Sequence, residues 1–124
     1  MSVGYELVNY SKRERITFCH IDAATAHELA GYPVAAAITT WYLLNHPGDQ
    51  IAFVSDTYDD WPFTDGSRDD LPSFPDVTDQ VVLVLIEAGI LEDRGKRWAD
   101  EDEPDTVFIR DLVNIWMTRG GEVS

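Results

Sequence analysis

Hydrophobic and polar positions change period several times along the 124 residues, and each change predicts an element. Tyr5–Tyr10 is rich in β-formers, and Ser11–Arg13 supplies a turn. Ile16–Ile21 then alternates, with Ile16, Phe18 and His20 on one face and Thr17, Cys19 and Ile21 on the other. A β-hairpin is expected there. Asp22 is placed to cap a short helix, AATAHEL, that stops at Gly31. Pro33 suits the first turn of a second helix, PVAAAITTWYLLNH, whose broad apolar side carries Ala37, Ile38, Trp41, Tyr42 and Leu44. Pro47-Gly48-Asp49 ends it, and Gln50–Ser55 reads as a buried strand.

Periodicity then lapses until Asp76 or Thr78, either of which can cap a helix running to about Ala88 with Gly89 beyond its end. VVLVLI is apolar on every side, which predicts a helix central to the core. LEDRGKRWA predicts a second hairpin with Arg94-Gly95 at its turn, followed by a solvated loop, DEDEPD. In the tail from Thr106 to Met117, Ile109, Leu112, Val113 and Trp116 keep helical spacing although Thr-Val-Phe-Ile favours a strand. The spacing predicts helix. Strands and helices do not alternate regularly, so the expected class is α+β: one domain, a small, mainly antiparallel sheet with three to four helices packed on it.

Charge changes this picture. Twenty-three acids against nine bases leave a net charge of −14. With 44% hydrophobic and 11% aromatic residues, the chain is nonetheless no disordered acidic tail. So large an excess argues against direct binding to nucleic acid or an anionic membrane, both of which need a basic face. The excess is local: residues 55–80 hold eight Asp and one Arg, together with three of the six prolines. Proline fixes φ and Asp and Gly make turns, so the stretch reads as an ordered excursion that Trp61, Phe63, Leu71 and Phe74 can dock.

Candidate chemistry is sparse. Asp56, Asp59, Asp60, Asp65, Asp69 and Asp70 have the oxygen ligands that Ca²⁺ or Mg²⁺ takes, but Phe63 and Trp61 stand where a calcium loop needs acids before Asp65-Gly66. His20, His27 and His46 lack the local pairing of a zinc site. Cys19 and His20 would point to opposite faces of one strand, which separates a nucleophile from its base. Cys19 is the chain's one cysteine and, at a strand position, reads as a small buried hydrophobe. Phosphate-binding glycine loops are absent. No cofactor is expected. VLIEAGILEDRG before a hairpin has a winged-helix flavour, which the charge balance opposes. MSVGYELVNYSKRER has no apolar stretch of a secretory signal, and Val81–Ile86 falls short of the roughly 20 residues that span a bilayer. A cytoplasmic location is the default expectation.

What remains is an acidic surface studded with aromatics. Tyr58, Trp61 and Phe63 alternate with Asp56, Asp59, Asp60 and Asp65, and Asp69 and Asp70 follow. Aromatic anchors in a charged rim are the anatomy of a protein-binding patch, unless Trp61 and Phe63 turn inward to plug the core. Three readings follow. The first is a non-catalytic module that engages or neutralises a basic protein, as antitoxin-like immunity proteins against nucleases do. The second is a nucleic-acid mimic whose carboxylates stand in for phosphates. The third is a small metal-dependent enzyme built on the Asp-rich loop.

Overall fold

The computed structural model describes residues 4–57 and 61–116. Strands β1 (Tyr5–Asn9) and β2 (Glu14–Ile16) precede helices α1 (Ala26–Gly31) and α2 (Pro33–Leu44) and strand β3 (Ile51–Ser55). A 3₁₀ helix (Arg68–Ser73), helix α3 (Thr78–Glu87) and strands β4 (Leu91–Ala99) and β5 (Phe108–Asn114) follow. β1 lies in the middle of a three-stranded antiparallel sheet, order β2-β1-β3, and β4 and β5 pair as a second antiparallel sheet. The fold is α+β. Among the described residues, no helix is long and apolar enough to cross a membrane.

The two-residue period of β1 organises the layers. Leu7 joins the larger core with Ile16, Ile38, Tyr42, Val82, Leu85, Leu91 and Leu112, which links the sheet to α2, α3, β4 and β5. Val8 points the other way, into a smaller cluster with Val54, Leu71 and Phe74. The sheet is thus an inner layer, with helices on one face and the acidic excursion on the other. Leu71 and Phe74 are 6% and 2% exposed. Burying each contributes roughly 1.5–3 kcal/mol, so apolar contact holds this charged segment down.

Several local expectations give way. The second strand stops at Ile16, because the N–H groups of Thr17 and Phe18 donate to the Thr78 hydroxyl instead of to a strand. Phe18 and His20 then take positive φ of 58° and 64°, which alternation cannot accommodate. Thr25, not Asp22, caps α1: its hydroxyl accepts from Glu28 N while the Glu28 carboxylate accepts from Thr25 N. Asp22 instead pairs with Arg97 at 3.0 Å. α2 begins at Pro33 as expected but buries Val34, Ala35, Ile38 and Tyr42, leaving Leu44 71% exposed.

Neither Asp76 nor Thr78 is the cap of α3: Val77 holds that position without a side-chain cap bond, while Asp76, just before it, accepts from Thr78 N at 3.0 Å. The helix ends in a Schellman motif at Gly89 (φ 78°), where Gly89 N donates to Ile86 O and Ile90 N to Leu85 O. It is not enclosed on all sides, for Leu83 and Val84 are 55% and 43% exposed. Arg94-Gly95 makes no turn. The segment runs on as the single strand β4, with register shifts between Asp93 and Trp98 that absorb Gly95 at φ 100° as a bulge. The reversal falls instead in the exposed acidic loop after Ala99, and the tail returns as β5, a strand over Phe108–Asn114 where helical spacing predicted a helix; helical backbone is confined to 115–116, and Met117 lies outside the described residues. Arg110 fastens this sheet, reaching Asp93 at 3.0 Å and Asp79 of α3 at 3.2 Å.

Candidate functional site

The Asp-rich excursion leaves the sheet at the end of β3. Asp56 is exposed, and its Oδ2 accepts from Gly4 N at 3.1 Å. Tyr58, Asp59 and Asp60 lie outside the described residues. Trp61 and Phe63 are half-buried and packed on the smaller cluster. Tyr10 is their platform, edge-on to Trp61 at 6.2 Å and stacked on Phe63 at 5.4 Å between ring centroids. The Trp61 indole N–H donates to Asp65 O at 2.9 Å, closing the loop upon itself. The inward reading of both rings is therefore the geometry found.

Gly66 explains how the chain passes so close beneath. Its φ is +72°, and a Cβ there would lie 2.5 Å from Tyr10 Oη and 2.6 Å from Asp70 Oδ2. Ser67 then caps the 3₁₀ helix, and Asp70 completes the box by accepting from Ser67 N at 3.1 Å. Arg68 donates to the carbonyls of Ser55 and Thr57, which fastens the helix to the end of β3. Of the described site residues, Asp70 is thus a structural cap, while Asp65 and Asp69 are exposed carboxylates on a docked frame.

The remaining candidates separate. Among the described residues, no three His, Cys, Asp or Glu side chains are grouped to hold a metal ion. The His20 ring stacks on Phe108 at 3.8 Å and its Nδ1 meets Phe108 O at 3.0 Å. Cys19 is exposed, not the buried hydrophobe expected, because the strand ends before it. Partial desolvation, with the Asp76 and Asp79 carboxylates nearby, pushes its thiol up from its ordinary value. That disfavours the thiolate a nucleophile requires. His27 is exposed on α1.

A different constellation forms where β2 meets the end of α2. The Tyr42 hydroxyl donates to Glu14 Oε2, and the His46 ring stacks on Tyr42 at 4.0 Å. His46 Nδ1 meets Tyr42 O at 2.8 Å while its Nε2 lies 3.9 Å from Glu14 Oε2. Burial and the bond to Glu14 push the Tyr42 phenol well above its ordinary pKa, so it stays a donor. Fully buried Asn9 lies at the same end of the sheet, donating to Asp49 Oδ2 at 2.9 Å. Tyr42 and His46 are one helical turn apart, a spacing legible in the sequence, but Glu14 is 28 positions away and no local pattern announces it.

The chain matches no family model, and neither the curated proteins nor the solved structures offer a match.

Proposed function

We propose that the protein is a small, non-catalytic binding module that engages, and by doing so neutralises, a basic protein, with the excursion after β3 as its recognition element. The observation that carries this reading is the division of labour among charges. Lys12, Arg15, Arg94, Lys96, Arg97 and Arg110 each pair with carboxylates other than Asp56, Asp65 and Asp69. Those three carboxylates face water on a segment whose own apolar side chains hold it to the sheet. Such a loop loses little conformational freedom on binding, and its field draws a cationic surface at a rate that salt suppresses. Because Trp61 and Phe63 pack inward, charge and shape supply recognition more than aromatic anchoring does.

A nucleic-acid mimic is the second reading. It is favoured by the exposed run Glu101–Asp105 on the β4–β5 connection, which puts carboxylates on an element other than the excursion. One experiment separates the two. Immobilised protein is exposed to cell lysate at low and at high salt, and retained proteins are identified by mass spectrometry. The module reading expects basic proteins held at low salt, released at high salt, and lost from the Asp65→Asn, Asp69→Asn double variant. Retention that survives the double variant favours distributed mimicry, and absence of any basic protein at low salt overturns both.

A further inference from the structure

We propose that the cavity between β2, α2 and α3 receives an arginine side chain from a protein partner. The cavity has a volume of about 410 Å³ and is lined by Glu14, Trp41, Tyr42, His46, Val81 and Val84, among others. It is on the helical side of the sheet, away from the acidic excursion, and so goes beyond the reading above. Its walls are apolar along Trp41, Val81 and Val84, and its polar end is the Glu14 carboxylate.

Glu14 needs an explanation. Its side chain is only 25% exposed, yet no Lys or Arg among the described residues pairs with it. Oε2 accepts from the Tyr42 hydroxyl, and His46 Nε2, 3.9 Å away, is a cation only when protonated. Asp49, bonded to Asn9 at the same end of the sheet, adds negative charge that Lys12 meets at 3.9 Å. A carboxylate held half out of water without a permanent counter-ion complements a cation from outside.

The trough leading to it asks for an apolar stem, and the Trp41 indole adds an aromatic wall. A side chain with three methylenes and a flat guanidinium meets all three demands: stem on valine, plane against indole, fork to carboxylate. The donor is a protein because the apolar surface continues past the reach of a free amino acid. Trp41 also lines the neighbouring cavity of about 500 Å³. Leu44 and Trp116 line that cavity too and are 71% and 63% exposed.

The test is an NMR titration of isotope-labelled protein with an N-acetylated, C-amidated leucyl-arginyl-leucine peptide. Parallel arms use the citrulline peptide, which keeps shape and loses charge, and the lysine peptide. Saturable shifts are expected at the Trp41 indole and the Val81 and Val84 methyls, weakened about tenfold or more in the citrulline arm and in Glu14→Gln. The citrulline comparison uses the unaltered protein, so it stands whether or not the variant folds. The proposal is overturned if citrulline binds as tightly as arginine, if a folded Glu14→Gln keeps full affinity, or if shifts fall only on the excursion. Equal affinity for the lysine peptide overturns the choice of guanidinium. Concentration-dependent broadening at Trp41 and Val84 without peptide, from a second copy covering the face, overturns the proposal as well.

Discussion

Gly66 is where the candidate site depends on a single missing carbon. A side chain there meets two obstacles together, a left-handed backbone and a Cβ 2.5 Å from the Tyr10 hydroxyl. The backbone conformation alone costs an L-residue about 1–2 kcal/mol. Gly66→Ala is therefore expected to lower stability by at least that amount in urea titration. It should also disturb Trp61 emission, since Tyr10 must shift from under both Trp61 and Phe63. Unchanged stability would mean that the excursion does not hold this close approach. The same position shows why residue types can mislead. Asp70 reads from the sequence as one more free acid, yet it spends an oxygen on Ser67 N. Trp61, which the sequence offered either as a partner anchor or as a plug for the core, serves as the inward clasp.

Among elements, the joint between the end of β2 and the start of α3 rests on Asp76. Desolvation pushes its carboxyl up, but hydrogen bonds from the side chains and backbones of Thr17 and Thr78 outweigh it, and the net pKa lies below the usual 3.8. A depressed carboxyl contributes stability that is fully present above the unfolded value and is lost as pH falls through the folded one. Asp76→Asn keeps an acceptor for Thr78 N and removes the titration. It should melt lower than the parent near neutral pH, with the gap closing below pH 3.8. A gap that stays constant into acid would assign the joint to the threonines alone. This joint also shows what local pattern misses. Ile16–Ile21 reads as alternating, but the strand ends because the N–H groups of Thr17 and Phe18 find the Thr78 hydroxyl, 61 and 60 positions on. Likewise the helical spacing of Ile109, Leu112 and Val113 gave way to pairing with β4, a partner the window of a period count never sees.

At the scale of the molecule, the α+β class, the central strand β1 of the three-stranded sheet, the start of α2 at Pro33 and the end of α3 just before Gly89 follow from breakers and periods. The docking of the excursion followed from its Leu and Phe. The Glu14–Tyr42–His46 cavity did not, because it is assembled by packing between elements distant in sequence. The net charge of −14 repels itself in the folded state, and the ion pairs that offset it are mostly surface ones worth little. Added NaCl is accordingly expected to raise the melting temperature by a few degrees in calorimetry. MgCl₂ and CaCl₂ at equal ionic strength should match it. A much larger shift with either divalent ion would speak for the metal-dependent reading instead.

The central place of β1 bears finally on the order in which the chain acquires structure. Its pairing with β2 is a short hairpin, whereas Tyr5 meets Ser55 only after α1 and α2 have been made. Closure over so long an intervening stretch is slow compared with hairpin formation. Until β3 has been made, β1 has only β2 to pair with, and both Leu7 and Val8 lack the residues that cover them in the folded protein. α1 and α2 begin to cover the first face, which only α3, β4 and β5 complete, and the second waits for Leu71 and Phe74. The residues that finally shield it arrive in the most acidic stretch of the chain. Like charge on that stretch opposes the association of chains whose larger core still lacks α3, β4 and β5.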